Sequence, residues 1–406
     1  MGRGMYLGVD SKARKVKKMY IGVDGKARKV KKIFVGDANG KARLCWSGFT
    51  PMFVGTTKKE LITSVDGVSW SVSPAPWDTS DWYSSYGDNQ NIGMTYGLGY
   101  YWIACGKYLL RSEDAVNWTV VKTSHLFSSF QHLGFMRVFF VNGKIVAYEA
   151  FSNLSSVPTE YNGKRIFHVT EDGVNWTSFN DSPRYSANSS KCMRYISDLV
   201  YGTYEGEKVY LWLEYGEGAN SSSSGYASRI YKSTSLTTDG WTLVSDNVSY
   251  STESSSYTHG QMALKDGTIY VTGRYGSMLR LVRMGTISNY MTDSSNIDYR
   301  YQGLASTEDE VLVYRYTKGF QKIDYIGAAT YYSADLGYND RLRYMHPPYN
   351  EEGMIAFPIA SSKTVNAWYK RKGATAFTKV SSIGTVENQA NTVAVYGIDG
   401  GGFYTN

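Results

Sequence analysis

Between Pro76 and Asn91 the chain reads PWDTSDWYSSYGDNQN, which sets the rings of Trp77, Trp82, Tyr83 and Tyr86 among Asp78, Asp81, Asp88 and Asn89. Aromatic faces can stack on sugar rings while carboxylates and amides exchange hydrogen bonds with hydroxyls, a division of labour suited to a polar ligand. Packing of the same rings between neighbouring structural units is the competing use. A second stretch, YNDRLRYMHPPYNEEG from Tyr338 to Gly353, carries Arg341, Arg343 and His346, cations suited to an anionic glycan. The candidate ligand-binding residues are Trp77, Asp81, Trp82, Tyr83, Tyr86, Arg341, Arg343 and His346.

Other chemistry finds less support. The histidines, His125, His132, His168, His259 and His346, show no His-x-x-x-His spacing and the cysteines no Cys-x-x-Cys, so they read as structural or surface residues and no metal site is expected. No Gly-x-x-x-x-Gly-Lys phosphate loop occurs. The glycine-rich GIDGGGF from Gly397 to Phe403 has no helix after it and reads as a turn, so no cofactor is expected. Carboxylates are plentiful enough that a glycosidase pair is neither located nor excluded. Cys45, Cys105 and Cys192 are odd in number and far apart, which favours a reducing site of folding over a disulfide framework. Neither a secretory signal nor a bilayer-length apolar run is seen, so ordinary export and membrane insertion are not expected.

The elements that must position these residues announce themselves by repetition. SVDGVSW, SEDAVNW and TEDGVNW end at Trp70, Trp118 and Trp176, and a looser copy, TTDGW, ends at Trp241, giving separations of 48, 58 and 65 residues. Periods near 50 built of strands and turns indicate propeller blades. Within each box the acid and hydroxyl can satisfy the amides of a tight turn, and the Trp opens the next strand and packs between blades. The structural set is Ser64, Asp66 and Trp70; Ser112, Asp114 and Trp118; Thr170, Asp172 and Trp176; and Asp239 with Trp241. Asn-x-Ser/Thr triplets such as Asn117-Trp-Thr and Asn175-Trp-Thr read as turn chemistry in the same boxes.

Abundant Gly, Ser, Thr, Tyr and Trp with scarce Pro, and no helical periodicity, make the chain all-β. Further units without a box centre on GTIYVTGRYGSMLRLVRM, EVLVYRYTKGFQKIDYI and AWYKRKGATAFTKV, for a total of seven blades, with six as the alternative. The first unit is short of a strand, and the terminal NTVAVYGIDGGGFYTN is expected to complete it and close the ring.

Ahead of the propeller, which is assigned to 49–406, residues 1–48 form a different segment. MYLGVDSKARKVKK, MYIGVDGKARKVKK and IFVGDANGKARLCW begin at Met5, Met19 and Ile33, each an aromatic-aliphatic run, a turn and a basic run. Asp-Gly between two such runs predicts a β-hairpin. Residues 1–46 hold thirteen Lys/Arg against three Asp, a balance of +10 that leaves −3 of the overall +7 for the remainder. Basic strands can neutralise phosphates, but Tyr6, Tyr20 and Phe34 recur at one hairpin position without forming a stacking platform, so nucleic acid is not expected. Docking onto other protein chains, with lysines protecting the strand edges until then, is the favoured reading.

These tandem GVDGKARKVKK hairpins resemble the N-terminal repeats of tail-fibre and baseplate-associated proteins of phages and prophage-like elements of Gram-positive bacteria. That resemblance implies attachment through residues 1–48 to other virion or tail proteins, location in a virion assembled in the bacterial cytoplasm, and a homotrimer. The Trp-ending boxes resemble the Asp-box of sialidase-like propellers, with one residue fewer between Asp and Trp. An active sialidase would need an arginine motif ahead of the first box. Only Arg43, in KARLCW, lies just upstream, and Arg165, Arg229, Arg274 and Arg280 cannot be assigned to a triad. The sequence thus leads to a non-enzymatic phage fibre or receptor-binding protein whose loops take a bacterial surface polysaccharide. A purely structural virion protein and a polysaccharide-cleaving glycosidase are the alternatives.

Overall fold

The computed structural model describes the strands and their tight connections: residues 6–9, 12–15, 19–23, 25–30, 32–36, 42–47, 52–56, 60–77, 92–124, 132–151, 166–180, 194–217, 226–245, 250–251, 261–272, 278–283, 286–292, 301–306, 311–315, 319–323, 329–332, 353–356, 364–371, 373–374, 376–385 and 393–396. Among them there is no helix. Three separate two-stranded hairpins come first, pairing Tyr6–Val9 with Lys12–Lys15, Tyr20–Val23 with Lys26–Lys29, and Lys32–Gly36 with Ala42–Ser47. In the second, Gly25 turns the chain at φ +71°, where a Cβ would be strained, and the Val30 amide donates to the Met19 carbonyl at 2.8 Å.

Among the described residues seven antiparallel sheets follow, matching the seven blades expected. Blades 2 to 6 are four-stranded meanders over 92–123, 132–180, 194–245, 261–292 and 301–332, the third of them carrying the extra strand Tyr250–Ser251. Blade 7 is described as three strands, Gly353–Ala356, Thr364–Arg371 and Thr378–Thr385. Blade 1 joins the two ends of the chain: Val393–Tyr396 pairs with Phe53–Thr56, followed by Glu60–Ser64 and Ser71–Pro74. The C-terminal strand is thus the innermost of its blade and packs against Ile92–Gly97 of blade 2. Hydrogen bonding of Val393–Tyr396 to Phe53–Thr56 completes blade 1, as the missing strand of the first unit predicts.

Why the middle strands read as continuous apolar runs follows from this geometry. Blades 2 to 5 each pack against a neighbour on both faces, so Tyr101–Cys105, Ile145–Glu149 and Val209–Glu214 are buried on both sides, while the outer strand Ser71–Pro74 is exposed throughout. Side chains also rivet blade to blade. The Tyr101 hydroxyl donates to the Met52 carbonyl at 2.9 Å, the Tyr148 hydroxyl to Ile196 at 2.8 Å, and Asp198 Oδ2 accepts the Met262 amide at 2.8 Å. Gln261 repeats that last device, accepting the Leu304 amide. The inner strands of blades 2 and 3 approach so closely that a Cβ on Gly93 would lie 2.6 Å from the Arg137 Cα. Gly93→Ala is expected to cost about 1–3 kcal/mol, read as a lower denaturant midpoint.

Candidate functional site

The boxes supply the most regular local chemistry in the ring. In each of the first three, one oxygen of the acid accepts two successive amides: Val68 and Ser69 on Asp66 at 2.8 and 2.7 Å, Val116 and Asn117 on Asp114 at 2.9 and 2.8 Å, Val174 and Asn175 on Asp172 at 2.8 Å each. Ser64, Ser112 and Thr170 donate to the same oxygen, and Gly67 and Gly173 donate their amides back to those hydroxyls. Asn117 and Asn175 add their side-chain amides to the second oxygen, the turn role expected of them. The Trp rings pack as predicted, with Trp118 edge-on to Trp77 of blade 1 at 6.2 Å and Trp176 edge-on to Trp102 of blade 2 at 5.8 Å.

At the third position of the turn the backbone is left-handed, and at Gly173 (φ +77°) a Cβ would also meet the Arg111 guanidinium at 3.1 Å. That guanidinium donates to the Gly173 carbonyl at 2.5 Å across the blade boundary. Gly173→Ala should therefore cost about 1–2 kcal/mol, again measurable as a shifted denaturant midpoint. Ala115 occupies the equivalent site at φ +60° and buries its methyl in the core shared by blades 1 and 2, which offsets the strain.

The fourth box corrects the sequence reading. Asp239 is not the turn acid: its backbone carbonyl accepts the Thr237 hydroxyl at 3.0 Å, and Ser235 stands where the acid belongs, its amide donating to Ser233 Oγ at 3.2 Å. Two extra residues before Trp241 shift the Asp out of position. Trp241 keeps its structural role and stacks on Trp212 at 3.8 Å.

These turns hold their carboxylates ionised. At Asp66 the Ser69 amide leads the groups that hold the carboxyl below its usual range. Burial pushes Asp114 up, but the Asn117 amides, Val116 and Ser112 outweigh it and bring the value to about 2; the Val174 and Asn175 amides depress Asp172 further still. Folded values below the unfolded 3.8 mean a contribution fully present above that pH and lost as pH falls through the folded values. The melting temperature should thus decline as pH falls from 4 towards 2, and an Asp114→Asn, Asp172→Asn double variant should show a flatter decline. Exposure to solvent keeps each contribution small.

A second cluster is buried between blades 2 and 3. Ser124 donates to Glu149 Oε2 at 2.5 Å, Glu149 Oε1 lies 2.8 Å from His168 Nε2, and His168 Nδ1 lies 2.8 Å from Ser178 Oγ. Glu149 is fully buried and His168 nearly so, with Phe135 against the imidazole. The arrangement satisfies a carboxyl and an imidazole inside an apolar boundary and ties Ser124 of blade 2 to the sheet of blade 3. His168 is a structural histidine.

Of the residues proposed to bind ligand, Trp77 is placed in the core. It is 8% exposed and packs in the apolar cluster with Val54, Leu61, Met94 and Tyr101. Burial takes it out of the sugar-stacking set and gives it the inter-blade packing role. Asp81, Trp82, Tyr83, Tyr86, Arg341, Arg343 and His346 lie outside the described residues. Arg229 is buried opposite Glu214 in blade 4, and burial also claims Arg137, whose guanidinium donates to the Met136 carbonyl and is lowered in pKa by desolvation against the pull of Tyr148 and Asp198. Sequence reasoning missed Arg137 and Asp198, because single charges inside apolar strands carry no spacing signal.

No family model and no curated protein matches this chain. Similar solved structures include a chain of the mitotic checkpoint complex (8% identity, 75% of this chain and 84% of that one, TM-score 0.46) and YCF48 bound to a D1 peptide (11%, 75% and 85%, 0.42). A protein of Bacteroides fragilis assigned as a 6-phosphogluconolactonase is similar at 9% identity over 85% of this chain and 98% of that one, with a TM-score of 0.45.

Strand order fixes which connections share a face. In an antiparallel meander the first and third turns of a blade lie on one face, and the second turn and the crossing to the next blade lie on the other. The boxes are third turns, and they share their face with the tight first turns at 98–99, 142–143, 205–206 and 266–267. The chain also arrives at Phe53 from that face. From the opposite face depart the segments between Trp77 and Ile92, Phe151 and Ile166, Asn180 and Arg194, and Glu217 and Tyr226.

Proposed function

We propose that this protein is a phage or phage-tail-like fibre or receptor-binding protein that attaches through its N-terminal repeats and binds a bacterial surface glycan through propeller loops, without cleaving it. The observation that carries the reading is the division of the two faces. The boxes, the tight first turns and the point where the N-terminal segment joins the ring belong to one face; the long connections leave from the other, which also carries the tight second turn at 106–107. Those connections are rich in Ser, Asn, Tyr and Asp, as in DTSDWYSSYGDNQN, SNLSSVPTEYNGKR, DSPRYSANSSKCM and GANSSSSG. Tyr supplies rigid contact area, and Ser and Asn adaptable hydrogen bonds, the composition of surfaces selected to recognise varied ligands. A module tethered on one side and presenting such loops on the other suits adhesion, with residues 1–48 held by virion or tail proteins.

The test is to incubate the full chain with isolated Gram-positive cell-wall polysaccharide and then size the polysaccharide. Retention of the protein with unchanged glycan is the expected result. Shortened glycan would establish the glycosidase alternative, and no retention on cells or glycan would favour a purely structural virion role.

A further inference from the structure

The three complete boxes place a valine at the same turn position and expose it: Val68 at 46%, Val116 at 71% and Val174 at 67%. Val72 and Val120, second in the outer strands that follow, extend the apolar strip down the rim of blades 1 and 2. Carboxylates punctuate it: Asp66, the Glu113–Asp114 pair and the Glu171–Asp172 pair. Lys144, bonded to Glu171, and Arg111, donating to the Gly173 carbonyl, are cations held among them. Burying these five valines against a partner would remove apolar surface from water, and the carboxylates beside them would favour a partner of opposite charge.

Its complement is elsewhere in the same sequence. The hairpins repeat three times, and the first two couple an aromatic-aliphatic strand to a basic one, with Tyr20 opposite Lys29, Ile21 opposite Arg28 and Val23 opposite Lys26 in the second. Tyr20 is 58% and Ile21 56% exposed, so a single chain covers neither partner. A two-stranded hairpin is marginal alone and gains stability by docking. The +10 balance of residues 1–46 matches the acidic rim in sign.

We infer that the basic hairpins of one copy of this chain seat on the box rim of a second copy, valines against the aromatic-aliphatic strand and carboxylates against the lysines. This rests on reading the N-terminal repeats as an attachment segment and names one surface they attach to. Since the chain joins the ring on its box face, two copies meeting there can exchange hairpins reciprocally.

Sedimentation of the full chain across a concentration series, at low and high salt, tests it. Self-association is expected, weaker at high salt. Val116→Lys with Val174→Lys, or Tyr20→Ser with Ile21→Ser, should each lower the association constant by about tenfold or more while leaving the melting temperature of the ring unchanged. A chain that stays monomeric at every concentration, or association indifferent to both double variants, overturns the inference. If such a monomer still binds phage tail components, the attachment reading stands and only the second-copy partner falls.

Discussion

Trp212→Ala is expected to cost about 3–5 kcal/mol. Trp212 is 1% exposed and sits in a column of rings, stacked on Phe167 of blade 3 at 5.7 Å and on Trp241 at 3.8 Å, with Tyr231 edge-on at 5.7 Å. Removing it deletes a large buried volume and two stacked pairs, each worth more than its area alone. Phe167 and Trp241 belong to different blades, so the void cannot close without moving one blade against the other. Equilibrium denaturation should show a lower midpoint, and Trp212→Phe should recover part of the loss. A cost below about 1 kcal/mol would mean that the column does not hold blades 3 and 4 together.

Nearly as large is the effect expected at the buried acid. Glu149→Ala should cost about 3–5 kcal/mol, because it strands His168 and Ser124 without their carboxylate partner in a boundary closed to water. Replacing both members, Glu149→Leu with His168→Leu, should destabilise less than Glu149→Ala alone, since the carboxyl and the imidazole leave together and only the Ser124 and Ser178 hydroxyls lose these bonds. A double-mutant cycle on the two sites gives the coupling. Additive losses would show that the pair is not an energetic unit.

Much of this architecture is legible in the sequence. The boxes at Trp70, Trp118 and Trp176 carry their own explanation, because an acid two residues after a hydroxyl, followed by a left-handed turn residue, is a local solution to local amide demand. Asp239 failed the same reading because TTDGW imitates the end of the motif, while the register that matters is set by Ser233, two residues too far away. Closure by the C-terminal strand was legible as a deficit in the first unit. Trp77 was ambiguous for a physical reason: an aromatic ring suits a sugar and a blade boundary equally, and only burial separates the two. The Glu149–His168 pair had no signal at all, being assembled from neighbouring strands at positions whose spacing is set by sheet register. The remaining candidate ligand residues lie in connections whose chemistry is written in composition and not in any repeat.

The central claim is that the two faces of the ring are divided between attachment and recognition. Its most direct test is cell binding by two full-length variants: Trp82→Ala, Tyr83→Ala, Tyr86→Ala in the connection between blades 1 and 2, and Val116→Lys, Val174→Lys on the box face. The first is predicted to lose retention on Gram-positive cells while keeping the wild-type melting temperature, and the second to bind cells as the parent does when both are assayed as monomers. Equal binding by the first variant, or loss confined to the second, would contradict the account.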